Sequence, residues 1–319
     1  MEKKGVVVVG TGLIAKFHVR AVLESEKVFL AGVCGRTMEK AGKFIEEMKL
    51  ENVRAFCDLD EAMSFQGVDV AMVATASGAH DEAVFAAARN KVHVLVEKPI
   101  AITAARTDAM IEACEKAGVK LGCIFQTRWS GEYAELRRKV ESGELGRITY
   151  ASVQVPWWRA DEYYTGSSWH GKWDMDGGGA LINQSIHMID WLTSLMPGVK
   201  GVKAFAGTLA HPMEAEDTAS AVVLFEGGAI GHVYGTTASF PGRPKRMEIT
   251  GTKGTVVLGD ESAHGTSRPD AMGCEQHRKA LEEFVSSIDG AAEYPIDGHE
   301  ARKSVALIEA IYRDAGILS

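Results

Sequence analysis

Over its first 125 residues the chain alternates short apolar runs with segments of helical periodicity, and this alternation restricts the fold most. The predicted strands are Gly5–Val9, Val28–Cys34, Val68–Ala74, Val92–Val96 and Val119–Phe125. The predicted helices between them are Leu13–Leu23, Met38–Met48, His80–Arg89 and Thr103–Lys116. Continuous apolar strands separated by helices favour a parallel sheet that is covered on both faces. Right-handed crossovers then give a doubly wound α/β domain, whose ligand lies at the carboxyl edge of the strands.

The pattern changes after Gln126, where strands with period-two alternation begin to dominate. The predicted helices are Gly131–Glu141, Gly179–Leu195, His277–Ile288 and His299–Ala315. The predicted strands are Arg147–Val155, Val199–Leu209, Thr218–Phe225, Ala229–Ser239, Lys245–Gly251 and Thr255–Leu258, with a hairpin turn at Gly227-Gly228. The alternation predicts an α+β domain with a large, mainly antiparallel, open sheet. We therefore expect one domain at residues 1–125 and a second at 126–319, with the last helix packing back on the first domain.

Composition and charge exclude several classes of function. The 319 residues are 46% hydrophobic and 24% charged, with a net charge of −8, which is ordinary for a globular protein of two domains. The chain has no basic block, so we expect no nucleic-acid partner. Its apolar runs are too short to span a bilayer, and its start lacks the apolar region of a signal peptide, so we expect no membrane partner. The five cysteines are odd in number and lack metal-ligand spacing, which predicts reduced thiols, a cytoplasmic location and no bound metal.

A glycine-rich turn, Gly10-Thr11-Gly12-Leu13-Ile14-Ala15, follows the first predicted strand. Its glycines permit a tight turn and a close approach of the backbone to a pyrophosphate. The helix that follows offers unpaired N–H groups to the same anion. We therefore predict a dinucleotide site formed by Gly10, Thr11, Gly12, Leu13 and Ile14.

The carboxyl edge of the later strands supplies further candidate cofactor contacts. About twenty residues after the turn, where a carboxylate usually holds the ribose hydroxyls, this chain has Gly35-Arg36-Thr37. Arg36 is suited to a 2′-phosphate or to stacking on adenine, so Arg36 and Thr37 favour NADP over NAD without excluding NAD. Thr75 and His80 follow a later strand. His80 either contacts the cofactor or caps its own helix.

Together with three later motifs, these residues resemble the Gfo/Idh/MocA oxidoreductases. The matching segments are Gly10–His18, Val73–His80, Val96–Ala101 with its Glu97-Lys98-Pro99 tripeptide, and Gly177–Asp190 with its triple glycine and its His-x-x-Asp. The resemblance covers essentially the whole chain. It implies a Rossmann domain followed by an α/β domain with a large open sheet, through which members commonly form oligomers, so we expect a homodimer or homotetramer. We also expect cofactor contacts at Glu97, Lys98 and Gln126.

Lys98 and His187 form the predicted catalytic pair. Oxidation of a secondary alcohol requires a base for the proton and an acceptor for the hydride, and a nicotinamide is such an acceptor. We expect Lys98 to hold and polarise the reacting oxygen while His187 accepts its proton, with the reverse assignment open. This requires the amine and the imidazole to meet over one nicotinamide face. A solvated surface lysine and a core histidine are the competing interpretations.

Asn183 is the third predicted catalytic residue, one helical turn before His187 and on the same helix face. Many relatives place an aspartate at this position. An amide orients a substrate hydroxyl but cannot accept its proton. His187 and Lys98 are therefore the candidates for proton transfer.

The segment from Trp157 to Trp173 combines aromatic residues with cations. This segment, which precedes the triple glycine, resembles that of sugar 3-dehydrogenases of the nucleotide-sugar uronic acid or levoglucosan type. Aromatic rings suit the apolar faces of a pyranose, and cations suit a carboxylate or phosphate. A loop clamped on the sheet, or a subunit contact, is the alternative. The predicted substrate contacts are Lys98, Arg128, Arg159, Tyr163, Trp169, His170, Asn183 and His187.

These observations favour an NAD(P)-dependent dehydrogenase that oxidises a ring hydroxyl, at C3, of a small carbohydrate. An NAD-dependent glycosidase that works by transient C3 oxidation and elimination is the second hypothesis. A dinucleotide-sensing protein without turnover is the third. The intact Lys98 and His187 argue against the third hypothesis.

Overall fold

A computed structural model describes residues 3–259 and 273–318. The first part of the chain consists of β1 (Lys4–Val9), α1 (Leu13–Leu23), β2 (Val28–Cys34), α2 (Met38–Glu47), β3 (Arg54–Phe56), α3 (Leu59–Ser64), β4 (Val68–Val73), α4 (His80–Arg89), β5 (His93–Glu97), α5 (Ala104–Ala117) and β6 (Leu121–Ile124). Short 3₁₀ turns lie at Ser77–Ala79 and Gln126–Trp129. The elements alternate as the sequence predicts.

The six strands form one parallel sheet in the order β3-β2-β1-β4-β5-β6. The strand order reverses between β1 and β4, and in sheets of this kind ligands bind in the crevice at that point. Apart from their first one or two residues, the central strands β1 and β4 are buried, as their apolar runs predict. The predicted doubly wound fold is therefore confirmed. The sequence pattern missed β3 and α3 because three and six residues are too few to show a period.

The remaining elements are α6 (Gly131–Glu141), β7 (Ile148–Pro156), α7 (Glu162–Thr165), a π-helical turn at Ala180–Ser185, α8 (Ile186–Leu195), β8 (Val199–Gly207), β9 (Thr218–Phe225), β10 (Ile230–Thr236), β11 (Arg246–Gly251), β12 (Thr255–Leu258), α9 (Glu275–Ile288) and α10 (Gly298–Asp314). Among the described residues no helix is both long and apolar enough to cross a lipid bilayer.

The second sheet has the strand order β12-β11-β7-β10-β9-β8. Among the strands that the structure describes, only β7 and β10 of this sheet pair in parallel, so the predicted mainly antiparallel sheet is confirmed. Gly227 and Gly228, both with positive φ, close the β9–β10 hairpin. The side chains of β9 alternate between buried and exposed, so the sheet has one buried face, which contacts α8 and the π-helical turn.

The described chain divides into two compact units. The first takes the residues within Met1–Ala101, Ala105–Gln126 and Met272–Ala301, and the second takes those within Ile102–Ala104, Thr127–Ala271 and Arg302–Ser319. One division falls between Gln126 and Thr127, whereas the sequence analysis placed the boundary between residues 125 and 126. However, α9 and the start of α10 belong to the first unit, and the rest of α10 belongs to the second.

Candidate active site

The glycine turn of the first unit is shaped for a ligand rather than for internal packing. Gly10 has φ +121°, and a Cβ there would lie 2.4 Å from the carbonyl oxygen of Ala74, so this position requires glycine. Gly12 differs, because a Cβ there would meet no protein atom within 4 Å. Nothing in the described protein accounts for the glycine at that position. Close approach of a pyrophosphate would account for it.

Gly12 is the residue that immediately precedes α1, and it has no side chain to cap the first N–H groups of the helix. The first N–H groups of a helix have no partner within the helix, and they carry the positive end of its dipole. Thr11, Leu13 and Ile14 are at least partly exposed beside them. The turn and the start of α1 therefore fit the pyrophosphate of a dinucleotide, as the sequence predicts.

Arg36 and Thr37 follow β2 at the same sheet edge. Arg36 is exposed. The hydroxyl of Thr37 accepts the N–H of Lys40 at 3.2 Å and so caps α2. The structure thus gives the Thr37 side chain a role within the protein, and Arg36 keeps its charge available to solvent.

His80 connects two loops of the sheet edge. Its buried ring places Nδ1 at 3.0 Å from the carbonyl oxygen of Pro99, and Nε2 at 3.2 Å from that of Thr75. Burial lowers the pKa of His80, which favours a neutral ring. The ring therefore holds the loop after β4 against the loop after β5. The predicted contact of His80 with the cofactor stays a prediction.

Glu97, the last residue of β5, is buried and pairs with histidines of two helices. Its Oε1 lies 2.9 Å from His18 Nε2 on α1 and 3.7 Å from His277 Nε2 on α9, and its Oε2 accepts the N–H of Lys98 at 3.0 Å. Burial alone would raise the pKa of Glu97, but His18, His277 and Lys98 together lower it to about 2. These contacts fix Glu97 at the end of the strand, and its contact with the cofactor stays a prediction.

Lys98 and Gln126 follow β5 and β6 at this same edge. Lys98 is half-buried, and its bond to Pro99 is cis. Gln126 is 5% exposed, and its Oε1 finds no hydrogen-bond partner among the described residues. A buried amide oxygen is costly without a donor, which fits the predicted contact of Gln126 with a ligand.

In the second unit, Asn183 and His187 lie on consecutive helical segments. Asn183 is in the π-helical turn and His187 is in α8, where a single α-helix was predicted. The Ser185 hydroxyl donates to the carbonyl oxygen of Ala180 at 2.7 Å, which takes an acceptor from the helix and favours the wider turn. Four residues remain close to one turn in either geometry, and π-helical turns recur at functional sites.

A hydrogen-bond network surrounds Asn183. Its Nδ2 donates to Asp176 Oδ1 at 2.7 Å, and its Oδ1 accepts from Gln184 Nε2 at 2.9 Å. Gln184 also donates to the Tyr163 hydroxyl at 2.9 Å and accepts from Arg159 Nη2 at 2.6 Å. Three of the predicted substrate residues, Asn183, Arg159 and Tyr163, are thus brought together.

Asp176 and Gln184 were not among the predicted site residues. Asp176 is buried, and its Oδ2 also accepts the N–H of Gly171 at 2.9 Å. It therefore fixes the orientation of the Asn183 amide, and it brings to this network a carboxylate that position 183 lacks. Its place beside the triple glycine was the one sequence signal that marked it.

His170 and Trp169 complete the aromatic segment. The His170 ring stacks on Tyr163 with centroids 4.2 Å apart and planes 7° apart, and it contacts the Trp169 ring at 4.0 Å. The Arg159 guanidinium lies 5.2 Å from the Trp157 ring centroid and 5.5 Å from that of Tyr163. These contacts hold the segment in one defined conformation.

Arg128, a predicted substrate contact, is held by an ion pair within the second unit, and its contact with substrate stays a prediction. It makes a bidentate ion pair with Asp190, with Nε–Oδ2 at 2.7 Å and Nη2–Oδ1 at 2.6 Å. Both side chains are nearly inaccessible to solvent. The pair therefore ties the start of the second unit to α8.

Lys98 belongs to the first unit, whereas Asn183, His187 and the aromatic segment belong to the second. The joint action of Lys98 and His187 stays a prediction.

Two family models match the chain. The model described as an oxidoreductase family with an NAD-binding Rossmann fold matches residues 4–125, and the GFO/IDH/MocA C-terminal domain matches residues 133–257. The structure of the WlbA dehydrogenase from Bordetella pertussis, in complex with NADH and UDP-GlcNAcA, is 32% identical with a TM-score of 0.89, covering 99% of this chain and 97% of that one.

Two further relatives bear on function. The chain is 26% identical to the myo-inositol 2-dehydrogenase of Thermotoga maritima, covering 94% of this chain and 92% of the relative. It is 27% identical to the 2,7-anhydro-N-acetylneuraminate hydratase of Escherichia coli K12, covering 80% and 70%. With both domain models matched in order and a relative of 32% identity over its whole length, this chain belongs to the Gfo/Idh/MocA family of oxidoreductases and carries an NAD-binding Rossmann domain.

Proposed function

We propose that this enzyme is a dehydrogenase that oxidises the C3 hydroxyl of a sugar carrying an anionic group, such as a nucleotide-linked uronic acid. The observation that carries the proposal is the state of Arg159. Among the described residues its guanidinium hydrogen-bonds to neutral oxygens, Gln184 Oε1 and the Trp158 carbonyl, and to no carboxylate. A charge that is half-buried without a counter-ion is suited to a carboxylate or phosphate. The WlbA relative was solved with UDP-GlcNAcA, a substrate of this class.

The aromatic rings around Arg159 suit the rest of such a substrate. Tyr163 and His170 stack rigidly, and Trp169 lies against them. Rings held in this way offer apolar faces to a pyranose at little cost in side-chain entropy. Because Gln184 joins Arg159 to Asn183, binding of the anionic group and orientation of the reacting hydroxyl depend on one network.

The chemistry is assigned to three side chains. Lys98 donates a hydrogen bond to the reacting hydroxyl oxygen and stabilises the negative charge that develops on it. His187 accepts the hydroxyl proton, since imidazole is the side chain that most readily exchanges a proton near neutral pH. Asn183, oriented by Asp176, fixes the direction of the hydroxyl. Bound NAD(P) supplies the hydride acceptor.

The test is a substrate panel of neutral sugars, sugar acids and nucleotide sugars, scored by absorbance of the reduced cofactor. We expect net NAD(P)H formation with anionic sugars. Arg159→Ala should raise KM for an anionic sugar far more than for a neutral one. An equal change in KM for both would refute the anionic substrate.

A second function is favoured by the similarity to the hydratase of Escherichia coli. In this second function the enzyme oxidises C3, eliminates the leaving group, adds water to the double bond that results, and then returns the hydride to C3, so that bond cleavage occurs without a net redox change. The same panel separates the two functions. Glycoside or anhydro-sugar conversion without accumulation of reduced cofactor would support the second.

For the cofactor, the exposed Arg36 supports use of NADP as well as NAD, because its guanidinium suits a 2′-phosphate. Kinetics of the wild type with each cofactor, and of Arg36→Ala, test this directly.

For assembly, a homodimer through the open face of the second sheet is favoured. Phe205, Val222, Leu224 and Ile230 lie on neighbouring strands of that face and are exposed, Phe205 by 88%. Contiguous exposed apolar side chains of this kind mark interaction surfaces. Sedimentation of the wild type and of Val222→Lys measures the assembly, and an unchanged oligomer in the variant would contradict this interface.

A further inference from the structure

Three consecutive backbone N–H groups at the start of the π-helical turn are all accepted by one residue, Glu216. The N–H of Gly179 donates to Glu216 Oε2 at 2.8 Å, and that of Leu181 donates to Oε1 at 2.9 Å. The N–H of Ala180 donates to the backbone carbonyl of Glu216 at 3.0 Å. The hydroxyl of Tyr312 on α10 donates to Oε1 at 2.7 Å. The carboxylate is fully enclosed by these donors.

This carboxylate replaces the cap that the helical segment lacks. Gly179 precedes the segment and has no side chain to accept its first N–H groups. Unsatisfied N–H groups at a buried helix start are costly, and a negative charge at that end is favourable. Glu216 supplies both the acceptor and the charge from the loop between β8 and β9.

The same contacts explain two residues of the triple glycine, Gly178 and Gly179. A Cβ on Gly179 would lie 2.1 Å from the carbonyl oxygen of Glu216, and a Cβ on Gly178 would lie 2.4 Å from the Tyr312 hydroxyl. Only glycine permits this approach. Burial raises the pKa of Glu216 to about 7, and hydrogen bonds from the Leu181 N–H, the Tyr312 hydroxyl and the Gly179 N–H act in the opposite direction by favouring the ionised carboxylate.

We propose that Glu216, held by Tyr312, is a positioning residue that fixes the start of the helical segment carrying Asn183 and His187. Asn183 follows Leu181 by two residues, and its N–H donates to the carbonyl of Gly179 at 3.1 Å, so any shift of the capped turn displaces its side chain. The inference rests on the proposed function, in which these two side chains contact the reacting hydroxyl.

The test compares Glu216→Gln with Asp217→Asn. Asp217 is the matched control because it is an adjacent, fully buried carboxylate that also accepts backbone N–H groups. Those N–H groups belong to Leu209, Ala210 and His211 and not to the helical segment. An amide at position 216 turns an N–H group toward one of the existing donors. We expect kcat to fall at least tenfold in Glu216→Gln with KM for the cofactor unchanged, and to change less than threefold in Asp217→Asn. Equal losses in both variants, or a kcat within threefold of wild type in Glu216→Gln, would overturn the proposal.

Hydrogen exchange supplies a readout that does not depend on activity. In the protein without substrate, amides 179–185 should exchange at least tenfold faster in Glu216→Gln than in wild type, while those of β1 and β4 are unchanged. Unchanged exchange at 179–185 would also overturn the proposal. A wild type that turns over no sugar would instead refute the proposed function and leave the exchange result standing.

If Glu216→Gln does not fold, Tyr312→Phe decides, because it removes one donor and keeps the backbone contacts. We expect a two- to fivefold loss of kcat and faster exchange at 179–185. No change in either would overturn the proposal.

Discussion

The buried group of Glu97, His18 and His277 predicts a pH dependence of stability that is specific to the first unit. The His277 side chain is 1% exposed, with Nε2 at 3.7 Å from Glu97 Oε1 and its ring 5.3 Å from that of His18. Burial lowers the pKa of His277 from 6.5 to about 4, although Glu97 raises it. Between these two values the unfolded chain binds a proton that the folded unit does not. The free energy of unfolding therefore falls as the pH is lowered through this window.

The size of the effect follows from the two pKa values. Lowering the pH from 7 to 5 should remove about 2 kcal/mol of the stability of this unit, which is about a 30-fold change in the opening equilibrium. His277→Gln abolishes this contribution because its side chain does not titrate. The pKa of His80 is also lowered by burial. That residue is present in both proteins, so comparing wild type with variant isolates His277.

Hydrogen exchange of the amides in β5 and α9 measures the effect, because all six tryptophans lie in the second unit and their fluorescence does not report on the first. After correction for the intrinsic exchange rate, protection in wild type should fall about 30-fold more than in His277→Gln between pH 7 and pH 5. The same pH dependence in both proteins would show that the His277 pKa is not lowered, and the reasoning would fail.

Three further predictions concern the nucleotide site and the ion pair of the second unit. Gly12→Ala should leave the melting temperature unchanged but weaken NADH binding at least tenfold in a fluorescence titration. Gly10→Ala should lower the melting temperature, because its Cβ would lie 2.4 Å from a backbone carbonyl oxygen. Equal effects of the two changes would contradict the role assigned to Gly12. Arg128→Ala should reduce the free energy of unfolding followed by tryptophan fluorescence by about 3–5 kcal/mol, because it removes the bidentate cation partner of the buried Asp190 carboxylate. A raised KM with unchanged stability would instead support the predicted substrate contact. Arg36→Ala should raise KM for NADP at least fivefold more than KM for NAD, and a parallel change would remove the argument for a 2′-phosphate contact.

The sequence predicted the architecture well because its signals are local. The apolar runs of β1 and β4, the tight turn at Gly10 and the Gly227-Gly228 hairpin each follow from a few neighbouring residues. The sequence did not predict the π-helical turn, because the apolar pattern of this segment is that of an α-helix. The hydroxyl of Ser185 and the distant carboxylate of Glu216, which favour the turn, leave no trace in that pattern.

The candidate site was predicted in part. Its key partners are far apart along the chain: Arg128 meets Asp190, and Glu97 meets His277. A single sequence carries no signal for such pairs, so the ion pairs of Arg128 and Glu97 within the protein were not predicted. Asp176 lies only seven residues from Asn183, but no motif marks that spacing as a contact.

The most direct test of the account is a double-mutant cycle on turnover with a nucleotide-linked uronic acid, using Lys98→Met, His187→Gln and the combined variant. Groups that act on one hydroxyl should each contribute about 10²–10⁴-fold to kcat, and their losses should not add. We therefore expect the combined variant to be within tenfold of the slower single variant, with NADH affinity retained. A Lys98→Met enzyme within tenfold of wild type, or losses that multiply fully, would contradict a shared role for these two side chains.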